Sequence, residues 1–166
     1  TYFDFGAFEE VQLMVSSADV TMATAGVTIN QVTKRGTNEW RAEGRYLRTD
    51  GDLQAEPTLE FGNKIEDVEE YGANIGGPIL KDRLWAWGSY GKSDIRNLAP
   101  SPSGDGRLLD RTVLEDYNLK LNAQLSERDS ATLFFSDNEK RKENFNASPT
   151  NPPETTWKQR DLANDP

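Results

Sequence analysis

Apolar and polar residues alternate with period two along most of this chain, and helical spacing is nearly absent. The clearest run is 117–125, where Tyr117, Leu119, Leu121, Ala123 and Leu125 interleave with Asn118, Lys120, Asn122 and Gln124. Successive side chains of a strand point to opposite faces, so this run predicts a strand with one apolar and one polar side. A weaker copy sets Tyr71, Ala73 and Ile75 against Gly72, Asn74 and Gly76. In residues 39–48 one face carries Trp40, Ala42, Gly44 and Tyr46, and the other Arg41, Glu43 and Arg45. At 83–95 the phase stays open, because Leu84, Ala86, Gly88 and Tyr90 suit an apolar face and so do Trp85 and Trp87. With 112–125 and 130–143 these stretches predict five strands. Two more are expected upstream, at 8–16 and 25–34, followed by a turn at Gly36-Thr37-Asn38.

The connections between the five strands run about 49–68, 79–82, 96–111 and 126–129: long, short, long, short. Outer-membrane barrels have this rhythm, with short turns on one side of the membrane and long loops on the other. Strands of about ten residues also suit a crossing of the hydrocarbon. A soluble sheet would need a second layer over its apolar face, and the sequence offers no amphipathic helix to provide one. Five strands cannot close such a barrel, so the expected fold class is all-β: a segment of a transmembrane antiparallel β-barrel belonging to something longer. A soluble extracellular β-sandwich binding module is the rival reading.

Composition narrows the function classes. The 166 residues carry 28 acidic and 19 basic side chains, a net charge of −9, which argues against nucleic acid as partner. Mean hydropathy is −0.77, yet 4 Trp, 5 Tyr and 7 Phe require an apolar environment. No apolar run reaches the roughly 20 residues of a spanning helix, and no leader-like segment opens the chain. With no His and no Cys, the commonest general base and the thiolate nucleophile are missing, so no enzyme, no cofactor and no metal site are expected. Adjacent carboxylates such as Glu9-Glu10 and Glu69-Glu70 would point to opposite faces of a strand. Gly76-Gly77-Pro78 lacks the Lys-Ser/Thr of a phosphate loop and reads as the end of a strand. Asp50-Gly51-Asp52 and Gly104-Asp105-Gly106 lack calcium-loop spacing and read as loop tips. Asn146-Ala147-Ser148 matches a glycosylation sequon of the kind that arises by chance. Lys140-Arg141-Lys142 reads as solvated loop charge or as a contact for lipopolysaccharide phosphates.

The stretches "GVTINQVTKRGTNEWRAEGRYL", "EYGANIGGPILKDRLWAWGSYG" and "NPPETTW" together resemble the plug-to-barrel segment of TonB-dependent outer-membrane transporters. Within these the resemblance is to the Oar-like group, whose members often carry a carboxypeptidase-regulatory-like domain upstream. The resemblance implies that residues 1–38 form the C-terminal part of a plug domain. Residues 39–166 would be the first barrel strands and extracellular loops, ending within the third such loop. It further implies energised ligand uptake across the bacterial outer membrane and partnership with the TonB complex through an N-terminal segment that this sequence does not contain. The ligand, whether siderophore, peptide, protein or glycan, is left open, and a non-transporting adhesin or signalling barrel would share the fold.

On a lipid face each Arg or Lys at mid-bilayer would cost about 2–4 kcal/mol. Arg41, Glu43 and Arg45 are therefore expected to face the lumen, as are Asn118, Lys120, Asn122 and Gln124. Trp40, Tyr46, Tyr71, Tyr117, Leu119, Leu121 and Leu125 are expected on the lipid face or its aromatic girdles. Lys34, Arg35, Gly36, Thr37 and Asn38 would be the plug–barrel junction, either a working hinge or a plain turn.

Overall fold

In a computed structural model the described residues are 4–14, 28–55, 64–100 and 107–143. They form two antiparallel sheets. Strands β1 (Phe8–Met14) and β2 (Thr28–Thr33) make a small sheet, preceded by a single 3-10 turn at Phe5–Ala7. Strands β3 (Arg41–Asp50), β4 (Lys64–Leu80), β5 (Leu84–Pro100), β6 (Arg107–Gln124) and β7 (Ser130–Glu143) make a large sheet in sequential order. All seven expected strands are present. The fold is nearly all β, an up-and-down meander of the kind that forms part of a barrel.

The strands of the large sheet run longer than the alternation alone indicated, up to 18 residues in β6. Consequently the connection expected at 96–111 shrinks to 101–106, and β4 already begins at Lys64. The added segments, such as Arg-Asn-Leu-Ala-Pro at 96–100 paired with Arg-Leu-Leu-Asp-Arg at 107–111, mix charged and apolar residues without strict alternation, and a period-two hydrophobicity reading does not see such a segment. The sequon at 146–148, the "NPPETTW" motif and Gly104-Asp105-Gly106 lie outside the described residues.

Register fixes the two faces. Arg41 lies opposite Gly76, Gly76 opposite Trp87, Trp87 opposite Lys120, and Lys120 opposite Phe134. Cross-strand partners share a face, so this row and every second row from it form one side. Leu84, Ala86, Gly88 and Tyr90 fall on the other side with Leu119, Leu121, Leu133 and Phe135. The open phase of β5 is thereby settled: its two tryptophans point to the first side. There Trp87 is buried, 2% exposed, whereas Leu119, Leu133 and Phe135 on the other are 49–66% exposed.

Two local readings change. Gly76-Gly77-Pro78 does not end a strand; β4 continues to Leu80, with a register irregularity between Pro78 and Leu80 where the proline has no N–H to donate. Gly77 leaves room for the Trp40 indole, which lies where a Cβ would be. Asp50-Gly51-Asp52 is an ordered element: Gly51–Leu53 is a 3-10 turn capped by the Asp50 carboxylate, and Gly51 packs on the Ile65 carbonyl.

Candidate functional site

The small sheet lies against the first face of the large one, and charged side chains make most of the junction. At its centre is Asp4, which precedes the turn Phe5–Ala7. Its Oδ1 accepts from the Gly6 backbone N–H at 2.9 Å and from the Arg45 guanidinium. Arg45 also donates through Nε to Glu70 at 3.0 Å. Asp4 is 3% exposed, so its charge needs this partner. The sheet floor is cut away to admit the pair. A Cβ on Gly91 would come within 2.6 Å of Asp4 Oδ2, and one on Gly72 within 2.9 Å of Arg45 Nη1. Beside them Asp116, the most buried of the large side chains, accepts from Asn118 and from the Asp4 backbone N–H.

Two further lysines tie the sheets together. Lys120 Nζ donates to Thr33 Oγ1 at 2.8 Å and to the Thr33 carbonyl at 3.2 Å, across 87 residues of sequence. Lys34 Nζ meets Glu43 Oε2 at 2.5 Å, and Asn74 donates to the same oxygen at 3.2 Å. Between these contacts lies a cavity of about 220 Å³ bordered by Glu9, Arg35, Arg41 and Trp87 among others.

The residues singled out from sequence divide by face. Arg41, Glu43, Arg45, Asn118, Lys120, Asn122 and Gln124 share the parity of the side that carries the small sheet. Glu43, Arg45 and Lys120 touch that sheet directly. Arg41, at the strand's start, meets Glu39 at 3.5 Å, Asn122 donates to Thr132 at 2.9 Å, and Gln124 closes the β6–β7 turn through the Ser126 and Asp129 carbonyls. Trp40, Tyr46, Tyr71, Tyr117, Leu119, Leu121 and Leu125 lie on or follow the opposite side. Of the junction residues, Gly36 is buried and Asn38 is engaged with the β4–β5 turn. Asp4, Asp116 and Thr33 had not been singled out, and Glu70 and Trp87 had been considered only as one of two adjacent carboxylates and as part of a strand of open phase. Asp116 continues the polar parity of Asn118 and Lys120 and was legible in principle; nothing local marks Asp4.

The opposite side is zoned along the strands. Ala42, Gly44, Ala73, Ile75, Ala86, Leu119, Leu121, Leu133 and Phe135 form an apolar field. A row of tyrosines bounds it: Tyr46 opposite Tyr71, with the Tyr71, Tyr90 and Tyr117 rings 6.3 and 4.9 Å apart in turn. Beyond the tyrosines come ion pairs: Lys92–Glu115 at 2.7 Å, Arg111–Asp94 at 2.6 Å, Arg96–Asp67 at 3.2 Å and Arg141–Glu139 at 2.5 Å. The cluster Lys140-Arg141-Lys142 does not act as one patch. Strand alternation sends Arg141 to this side, where Glu139 and Glu115 hold it, and the two lysines to the other.

Among the described residues no group of three or more acidic side chains is arranged to hold a metal ion, and no helix is long and apolar enough to cross a membrane; the latter says nothing of a β-barrel. Over 82 residues the chain is 35% identical to the TonB-dependent transporter Oar of Myxococcus xanthus, a match covering 45% of this chain and 8% of that protein. It is a partial relative of a TonB-dependent transporter. No family model and no solved structure matches. Because the match spans 8% of the relative's length, it supports a transporter-like function only at that coarse level.

Proposed function

We propose that this chain is a segment of an outer-membrane receptor that takes up a ligand across the bacterial outer membrane with energy relayed by a TonB-type partner. Residues 1–38 are then the last part of the plug, and residues 39–166 the first barrel strands with their extracellular loops. The side carrying Arg45, Glu43 and Lys120 is the lumen wall. The side carrying Leu119, Leu121 and Phe135 faces lipid.

One observation carries this reading: the two sides of a single sheet have opposite chemistry, and the charged one is covered by its own chain. A soluble protein buries the apolar side and solvates the charged one. Here an apolar field stands uncovered and is bounded by tyrosines, as at a membrane interface. From Leu125 to Tyr117 the field covers roughly 26 Å of strand at about 3.3 Å per residue, or ~20 Å of depth at a tilt of about 40°. That approaches the apolar band of about 25 Å in outer-membrane barrels. The ion pairs beyond the tyrosines then stand at and above the headgroups, where charge is solvated. The partial relationship to a TonB-dependent transporter supports the same assignment, and no observation favours the soluble module or the adhesin.

The test is fractionation of source cells probed with an antibody against residues 112–125. A heat-modifiable band several times larger than 18.6 kDa in the outer membrane is expected. A soluble band near 18.6 kDa would refute the proposal.

A further inference from the structure

The junction Lys34–Asn38 is not uniformly free to move. Asn38 is bonded to the β4–β5 turn in three ways. Its Nδ2 donates to Asp82 Oδ1 at 2.6 Å, and its Oδ1 accepts from the Asp82 backbone N–H at 3.0 Å and from Trp85 Nε1 at 2.7 Å. Asp82 sits at φ 62°, the left-handed region, where a non-glycine residue needs local support; Asn38 supplies it from 44 residues away. Two residues earlier Gly36 is pressed into the large sheet. A Cβ there would strike the Ala86 carbonyl and come within 2.9 Å of the Gly77 carbonyl and of Trp85 Cβ.

On the other side of the junction, the Lys34 backbone N–H donates to the Ala7 carbonyl at 2.9 Å, which ties the Lys34 backbone to the turn that leads into β1, while its side chain reaches Glu43 of β3. The chain thus passes from one body to the other within a single residue, Arg35, whose side chain is exposed.

We infer that Arg35 is the joint between the small sheet and the barrel wall, and that Asn38 is the positioning residue that pins the wall side of that joint to the β4–β5 turn. This rests on the transporter reading, in which the small sheet is the part that moves. When it moves, residues 36–38 stay with the wall, and the Asp4–Arg45, Lys120–Thr33 and Lys34–Glu43 contacts are the ones that break.

The experiment uses the full-length receptor in planar bilayers, with potassium chloride conductance recorded as urea is raised to dislodge the plug. The 166 residues contain no cysteine, so paired cysteines introduced here are unique within this stretch. One receptor carries Asn38→Cys with Asp82→Cys and another Asp4→Cys with Arg45→Cys. Each is compared before and after bridging by a short bis-maleimide, so each is its own control for the substitutions. Bridging 38 to 82 is expected to leave urea-induced conductance within about twofold. Bridging 4 to 45 is expected to cut it by about tenfold or more, roughly 1.4 kcal/mol in the opening equilibrium. If the 38–82 bridge suppresses conductance as strongly as the 4–45 bridge, the joint includes residues 36–38 and the inference falls while the transporter reading stands. If neither bridge changes conductance, the small sheet is not the moving part and the transporter reading falls with it.

Discussion

Asp4 and Arg45 stand 41 residues apart in sequence and form an ion pair between the two sheets, with Glu70 as the second acceptor for the same guanidinium. Asp4 is almost wholly enclosed, and its Oδ2 has no hydrogen-bond partner among the described residues. Removing the cation would leave a buried carboxylate with one backbone N–H for support.

Arg45→Ala is therefore expected to unseat the small sheet at a cost of about 3 kcal/mol, the lower end for breaking a buried pair because Arg45 is partly exposed. Arg41→Ala should have little effect, since Arg41 is solvated beside Glu39 at the strand's start and exposed pairs contribute about 0–1 kcal/mol. Leakage of a large antibiotic through the full-length protein separates the two variants. Equal leakage would contradict the assignment of Arg45 as the principal contact.

The same geometry makes a prediction about two glycines three residues apart. Gly91→Ala puts a methyl group onto the Asp4 carboxylate, so it should weaken the pair as Asp4→Ala does. Gly88→Ala meets its nearest neighbour, the Asn118 carbonyl, at 3.5 Å and should be tolerated. Protease susceptibility of residues 4–14 in the folded protein is the readout; a cut enhanced in both variants, or in neither, would count against the seating described.

On the opposite side, position relative to the tyrosine row should decide tolerance. Leu121→Arg places a charge within the apolar field and is expected to cost about 2–4 kcal/mol of barrel stability if that field faces hydrocarbon. Val113→Arg lies beyond the tyrosines, opposite Asp94, and should cost less than about 1 kcal/mol. Urea titration of the heat-modifiable band measures both. Similar losses would argue that the tyrosine row is no boundary.

Lys120→Met keeps the length of the side chain but removes both bonds to Thr33. Net loss of hydrogen bonds from a charged donor is worth about 1.5–3 kcal/mol, so hydrogen exchange at 28–33 should accelerate while that of 112–124 stays unchanged. Unaltered exchange in both would deny Lys120 a role in holding the small sheet.

Much of this fold was legible in the alternation. Where one face is apolar and the other polar, as in Leu119–Asn118–Leu121–Lys120, period two fixes the strand and its sidedness together. The strand at 83–95 resisted because Trp85 and Trp87 are as apolar as Leu84 and Ala86; only cross-strand register tells them apart. The extension of β6 back to Arg107 was hidden because Arg-Leu-Leu-Asp-Arg does not alternate, Leu109 sharing a side with Arg107 and Arg111, and Arg111 finds its partner Asp94 on another strand. The site was half legible. Charges trapped on the wall, Arg45 and Lys120, announce that something must meet them, but nothing near Asp4 or Thr33 identifies those residues as the partners. Contacts across 41 and 87 residues are products of topology, which local spacing does not encode.

The central claim is that one sheet has a lipid side and a lumen side. It is tested most directly by single cysteines at successive positions of β6 and β7 in the full-length protein, labelled with a fluorophore and exposed to quencher-bearing lipids. Labels at 119, 121, 133 and 135 should be quenched and those at 118, 120 and 136 should not. Quenching without alternation, or none at any position, would contradict the claim.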